Sequence, residues 1–205
     1  FLIYRWRYYL GFTVLAICII GAIVLTLLYL PGGLRVDEMS SSVESGALSL
    51  QNISSDMVVA LPYHVLQRTS FELLGVSVVS IKLPSAILAV LTSIGLFLLL
   101  RTWFRTNVAL LSTVVAITTP PFLFMSQYGT PMILFCFLTV WMLFTATQIS
   151  RHKHFSTLWK VLLGIFMALS IYTPLGIYLT IMLLVAAISH PHTRYLIKHL
   201  NRLHA

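Results

Sequence analysis

The sequence is built from long apolar runs, and the first of them is long enough to cross a membrane. It covers Tyr9–Leu30, which is 22 residues, and a helix rising 1.5 Å per residue needs about 20 residues to span the hydrocarbon layer. Arg5 and Arg7 precede the run and Pro31-Gly32-Gly33 ends it, so it lacks the short apolar core of a cleaved signal peptide. We therefore predict a retained transmembrane helix.

The composition excludes most other classes of protein. Of the 205 residues, 59% are hydrophobic and 9% are charged, whereas soluble domains average about 45–50% apolar and about 25% charged residues. A chain this apolar does not stay disordered. Its two cysteines, Cys18 and Cys136, lie in apolar runs and are too few for a disulfide scaffold. We predict an all-α, polytopic transmembrane bundle that forms one module over residues 1–205.

Further apolar runs predict more spans over residues 81–190. We expect a second span over Ile81–Leu100, a third over Val108–Met125 and a fourth over Pro131–Ile149. The run Leu158–Ile188 is long for one span and short for two. Thr173-Pro174 lies at its middle, where a proline interrupts a helix, so either one span or a hairpin of two short helices fits it.

The distribution of basic residues favours the hairpin. A net charge of +8 and a pI near 9.8 would suggest nucleic acid for a soluble protein, but these residues flank apolar runs, as the positive-inside rule predicts. A hairpin places the basic tail, residues 191–205, on the same side as Arg151 and Lys153. We therefore predict about six spans in the cytoplasmic (plasma) membrane, a cytoplasmic N-terminus and no nucleic-acid partner.

The acidic residues all fall in one outer loop, residues 31–80. They are Asp37, Glu38, Glu44, Asp56 and Glu72. The loop is too long for a simple connector. We expect two amphipathic helices on the membrane surface, one starting at Asp37-Glu38 and one capped by Ser54-Ser55-Asp56 and running toward Arg68.

Asp37 and Glu38 are the candidate catalytic residues. A carboxylate close to apolar walls can have a raised pKa, which suits it to act as a general base. The alternative is a pair of charges at a helix N-terminus in a solvated loop.

Four other residues of the loop and its rim are candidates for binding. Arg35, Arg68 and Lys82 could each bind a lipid phosphate or extend toward the membrane surface as ordinary cations. His64 is the one histidine of the outer side, and it could assist proton transfer, hold a divalent metal with Asp37 or Glu38, or be an interface residue. We also predict that the protein contacts membrane lipids.

An ordered set of segments resembles a known family. They are Leu34–Glu38, Leu61–His64, Phe71–Ser77 and Ile81–Ala86. Together they resemble the GT-C class of membrane glycosyltransferases, nearest to the bacterial branch of the protein O-mannosyltransferase and aminoarabinose transferase superfamily, over about residues 9–190. The family is usually longer, so the resemblance implies the N-terminal module of a longer protein.

The resemblance implies transfer of a sugar from a polyprenyl-phosphate donor to an acceptor hydroxyl at the outer face. Asp37 would be the base and Glu38 a second site carboxylate, and Lys82 stands where relatives often carry arginine. Relatives also carry charges near the start of the fourth span, whereas residues 126–131 here have none. The alternative is therefore a non-catalytic membrane protein, namely a degenerate member, an assembly subunit or a transporter segment, although the uncharged spans argue against transport.

Overall fold

The computed structural model describes residues 33–48, 59–151 and 156–186, together with Thr13, Ile17 and Gly21. These residues form helices and connections only, as predicted. The helices are α1 Val36–Ala47, α2 Leu61–Leu74, α3 Val78–Trp103, α4 Thr106–Ile117, α5 Pro120–Gln127, α6 Met132–Arg151, α7 Ser156–Ile171 and α8 Gly176–Ala186. Most of the first predicted span and the whole basic tail lie outside the described residues.

Among the described residues, two helices are long and apolar enough to cross a membrane, at the positions predicted for the second and fourth spans. They are α3 and the Met132–Ile149 part of α6. The N-terminus of α3 is capped by Ser77, whose Oγ accepts the Ser80 N–H at 3.2 Å.

The third predicted span is broken. The helices α4 and α5 bend by 65° at the connection between them and make a third span only when taken together. The break coincides with Pro120-Pro121, because a proline lacks the N–H needed inside a helix and is favoured in the first turn of a new one.

The run at the C-terminal side of the described chain forms two helices. Ten residues of one continuous helix would separate Ser170 from Thr180 by about 15 Å, yet their hydroxyl oxygens lie 2.6 Å apart. The chain therefore turns back through Tyr172–Leu175, the segment that contains the predicted break at Thr173-Pro174. This favours the hairpin, and the side of the membrane on which it turns stays a prediction.

The two helices of the outer loop are present, but the second starts later than expected. The first begins at Val36, beside Asp37-Glu38. The predicted cap of the second, Ser54-Ser55-Asp56, lies outside the described residues, and α2 itself begins at Leu61 with Ala60 as its N-cap. Ala60 has a left-handed backbone, with φ of 60°, and its N–H donates to the Tyr172 carbonyl at 2.7 Å, so a turn in the chain sets this helix start.

The main apolar core lies where α3 packs along α6. Buried Leu88 and Ala89 of α3 meet Leu134 and Leu138 of α6. One turn farther along α3, the Trp141 indole N–H donates to the Leu91 carbonyl at 3.2 Å. A Cβ at Gly95 would stand 2.9 Å from the Trp141 Nε1, so this close approach needs a glycine.

We expect Gly95→Val to destabilise the protein by about 1–3 kcal/mol, the usual cost of overpacking a core. The added side chain would push the Trp141 ring off α3. The measurement is chemical denaturation of the detergent-solubilised protein. Gly164→Val on α7 is the matched control, because nothing lies within 4 Å of a Cβ there. Equal losses of stability in both variants would contradict the proposed close packing.

Candidate functional site

The Asp-Glu pair at the start of α1 is divided between solvent and the protein interior. Successive residues of a helix point about 100° apart, since a turn holds 3.6 residues. Asp37 is exposed, whereas Glu38 has only 1% of its surface exposed. The two neighbouring carboxylates therefore have different environments and different chemical uses.

Glu38 joins three segments that are distant in the sequence. Its Oε2 accepts the Arg35 N–H at 2.9 Å, the usual bond from the third residue of a helix back to its N-cap. Its Oε1 accepts the Gly129 N–H at 2.9 Å, from the turn between α5 and α6. The Lys82 ammonium of α3 lies 3.5 Å from the same oxygen.

The pairing of Glu38 with Lys82 is structural. The two side chains are 1% and 3% exposed, and a charge so deeply buried is tolerated only when it is paired and hydrogen-bonded. Glu38 stands at the N-terminus of α1 but is buried, so it differs from the solvated charge of the alternative interpretation. Its predicted role as a second site carboxylate stays a prediction. The predicted contact of Lys82 with a lipid phosphate stays a prediction, because its ammonium group lies beside Glu38 here.

Tyr63 of α2 lies in the same buried region. Burial, and to a smaller extent the negative charge of Glu38, raise the pKa of its phenol, although the Ser85 hydroxyl acts in the opposite direction. The phenol therefore stays protonated, and its oxygen lies 2.7 Å from the Ser85 Oγ. This contact holds α2 against α3 close to the Glu38 ion pair.

An exposed cation stands beside this buried pair. The Arg35 guanidinium donates to the Tyr128 hydroxyl at 3.2 Å, and its central carbon lies 5.2 Å from the centroid of the Tyr128 ring. The ring is itself stacked on Phe124, with centroids 5.9 Å apart. A cation over an aromatic face is held by the quadrupole of the ring, so Arg35 has a defined position at the surface.

The Asp37 carboxylate has no such contact among the described residues. Within the part of the chain that the structure describes, no side chain or backbone N–H bonds to its carboxylate. Its backbone carbonyl accepts the Ser40 hydroxyl at 2.9 Å, which is a contact within the helix. The neighbours of Asp37 in the sequence are fixed, and its own carboxylate remains available to a ligand.

Two predicted binding residues, His64 and Arg68 of α2, contact the C-terminal end of α1. His64 is 2% exposed, and its Nδ1 lies 2.7 Å from the Ser45 Oγ. The Arg68 guanidinium donates to the Gly46 carbonyl at 2.8 Å and to Glu72 at 3.1 Å. Seven residues of helix, a rise of about 10 Å, separate Glu38 from Ser45, so the structure does not bring these residues to the Arg35 surface.

The predicted divalent metal remains untested by this arrangement. Among the described residues, no three histidine, cysteine, aspartate or glutamate side chains group to hold a metal ion. His64 belongs to the contact between α1 and α2, as its interface interpretation predicts.

Tyr128 and Gly129 were not expected as site residues. The sequence of this turn drew attention only for its lack of charge, yet it supplies an aromatic face to Arg35 and a backbone N–H to Glu38. A Cβ at Gly129 would stand 2.8 Å from the Ile81 Cγ2 and 3.1 Å from its carbonyl oxygen. A lone glycine before Thr130-Pro131 was the available signal for such a close approach.

Comparison with known proteins gives one match. The family model described as dolichyl-phosphate-mannose-protein mannosyltransferase matches residues 60–204. The match begins at the N-cap of α2, so Arg35, Asp37 and Glu38 precede it. No curated protein and no solved structure matches the chain significantly.

We expect Glu38→Gln to destabilise the protein and Asp37→Asn to leave its stability within about 0.5 kcal/mol. The first change removes the Glu38 charge from its buried pair with Lys82, and removing one partner of a buried pair costs about 3–5 kcal/mol. The second alters an exposed group. Thermal unfolding in a defined detergent compares the two. Equal unfolding temperatures would contradict the structural role of Glu38.

Proposed function

The chain belongs to the dolichyl-phosphate-mannose-protein mannosyltransferase family, and from this we propose that it transfers a sugar from a polyprenyl-phosphate donor to an acceptor hydroxyl on the extracytoplasmic side of the membrane. The observation that carries the proposal is the first turn of α1. There Asp37, an exposed carboxylate that has no partner among the described residues, follows the exposed and positioned cation Arg35, and Glu38 fixes both to the bundle.

The reaction requires two groups from the protein. A bond forms between the acceptor oxygen and the anomeric carbon of the sugar, and the bond from that carbon to the phosphate oxygen breaks. The acceptor proton passes to a base, and the lipid phosphate leaves as an anion. One displacement of this kind inverts the anomeric centre, so the base and the cation act on opposite sides of the sugar.

We assign the base to Asp37. A base must reach the acceptor hydroxyl, and Asp37 is exposed and has no partner among the described residues. Glu38 is unsuited to the task, because both of its oxygens accept backbone N–H groups and Lys82 is paired with it. The predicted role of Glu38 as a second site carboxylate becomes that of a positioning residue in this proposal.

We assign stabilisation of the leaving phosphate to Arg35. A guanidinium offers five N–H donors in a geometry that suits phosphate, and Tyr128 takes only one contact from it. A cation already in place lowers the cost of charge developing on the phosphate. Lys82 contributes indirectly, because it balances the charge of the carboxylate on which this turn is built.

The uncharged turn at residues 126–131 supports an active protein in this proposal. It lacks the charges that relatives often carry, but it positions Arg35 through Tyr128 and Glu38 through Gly129. The alternative is a non-catalytic member of the family, in which the exposed Asp37 is only a charge at a helix N-terminus. The next experiment distinguishes this alternative from an active enzyme.

We expect Asp37→Asn to reduce sugar transfer by about 10²- to 10⁴-fold, the usual contribution of a general base. Transfer is measured in membranes containing the complete protein, with polyprenyl-phosphate mannose as the donor. Glu72→Gln is the matched control, since it removes another exposed carboxylate of the outer loop and should leave transfer near the wild-type rate. Near-normal turnover by the Asp37 variant would remove that residue as the base.

Substitution of Tyr128 tests the placement of Arg35. We expect Tyr128→Leu to raise the KM for the donor about 2- to 30-fold, because a cation–aromatic contact contributes about 0.5–2 kcal/mol. Tyr128→Phe keeps the ring and loses only the hydroxyl contact, so its KM should rise less. An equal KM for wild type and both variants would show that Arg35 does not depend on Tyr128.

A further inference from the structure

A chain of hydrogen bonds fixes the orientation of Gln67 between α2 and its neighbours. Its amide nitrogen donates to the Ile81 carbonyl of α3 at 2.9 Å. A carbonyl oxygen can only accept, so the nitrogen of the amide must face Ile81. The Gln67 Oε1 therefore faces α1, where the Ser45 hydroxyl lies 2.6 Å away and the Ser41 hydroxyl 3.3 Å away.

This orientation decides which nitrogen of His64 carries the proton. Ser45 has one hydroxyl proton, and it donates that proton to the Gln67 oxygen. The Ser45 oxygen must therefore accept in its 2.7 Å contact with the His64 Nδ1. The neutral imidazole carries its proton on Nδ1, and Nε2 is the nitrogen that takes up a second proton.

Burial of the ring disfavours that second proton, whereas the nearby carboxylate favours it. The Glu44 carboxylate lies 3.5 Å from Nε2, but Glu44 is 62% exposed while His64 is 2% exposed. Attraction to a solvated carboxylate is screened and weak, whereas a buried ring loses the hydration that stabilises its charged form. Accordingly, burial lowers the pKa of His64 by more than the Glu44 carboxylate and the Val59 carbonyl raise it.

The other charged side chains of α1, α2 and α3 near His64 either form their own ion pairs or face solvent. On α2, Arg68 pairs with Glu72, and the Tyr63 ring meets the His64 ring edge-on at 5.9 Å. On α1 and α3, Glu38 pairs with Lys82. Asp37 is exposed in the first turn of α1. From the turn after α7, the Tyr172 carbonyl oxygen accepts the Ala60 N–H at the start of α2.

We propose that His64 is an acid-sensitive latch, whose neutral Nδ1–H form holds α1 to α2 and whose protonation loosens the helix that carries Asp37. The contact with Ser45 ties the C-terminal half of α1 to α2, while Glu38 ties its N-terminal turn to α3. Loosening one attachment changes the angle at which Asp37 is presented. The latch goes beyond sugar transfer and is independent of the reaction that the protein catalyses.

The direction of the pH effect follows from the two states of His64. Its pKa is lower in the folded protein than in the unfolded chain, where it is about 6.5. The stability that the neutral ring contributes is therefore complete above about pH 6.5 and is lost as pH falls through the folded-state pKa. Between the two values, docking weakens by about tenfold for each pH unit.

Hydrogen–deuterium exchange of the full chain in nanodiscs tests the latch without any substrate. The observable is protection of peptides covering residues 36–48 at pH 7.5 and pH 5, each divided by the exchange rate of an unprotected peptide at that pH. Wild-type protection should fall several-fold at pH 5. Unchanged or increased protection at pH 5 would overturn the proposal.

Two variants separate the nitrogen atoms of the ring. The amide nitrogen of asparagine takes the place of Nδ1, and that of glutamine takes the place of Nε2. We expect His64→Asn to keep most of the protection at pH 7.5 and to lose its pH dependence, and His64→Gln to reduce protection at both values. Equal protection in the two variants, or an acid response in His64→Asn, would contradict the assigned tautomer.

A third variant distinguishes a failure of the latch from a failure of the proposed sugar transfer. Asp37→Asn should show the wild-type response of α1 to pH, because Asp37 is not part of the latch. A normal acid response together with absent sugar transfer would reject the proposed function and leave the latch intact. A flat response together with normal transfer would reject the latch alone.

Discussion

The buried carboxylate of Glu38 is the constraint on which the arrangement of the outer surface depends. It accepts one N–H from the start of its own helix and one from the α5–α6 turn, and it neutralises Lys82 of α3. A buried charge without such partners would cost several kcal/mol. The three segments therefore have one mutually compatible arrangement, which fixes the first turn of α1.

The start of α3 is the common platform for these contacts. Within two turns, Ile81 accepts from Gln67, Lys82 pairs with Glu38, and Ser85 meets Tyr63. The polar face of α1 is thus directed into the protein. Its apolar side chains Val36, Met39 and Val43 are exposed, alongside the polar Asp37 and Glu44. The sequence correctly predicts an amphipathic helix, and the buried partners decide which of its faces is turned inward.

Features that depend on neighbouring residues could be predicted well from the sequence. The length of the apolar runs predicts α3 and α6, and Thr173-Pro174 predicts the turn between α7 and α8. The start of α2 at Leu61 could not be read from the sequence, because it follows from the turn of the chain at Ala60. The bend after α4 was missed because prolines near a helix end are compatible with either a bend or a simple end.

The sequence by itself determined the membrane class, the positions of the apolar helices and the choice of Asp37-Glu38 as the candidate catalytic pair, because each depends on composition or on spacing along one helix. Only the tertiary structure decided that Glu38 is buried and Asp37 exposed, since the partners of Glu38 lie 44 and 91 residues away, at Lys82 and Gly129. It also placed Tyr128 against Arg35 and Ser45 against the Nδ1 of His64. Contacts of this kind join distant parts of the chain, and no local pattern encodes them.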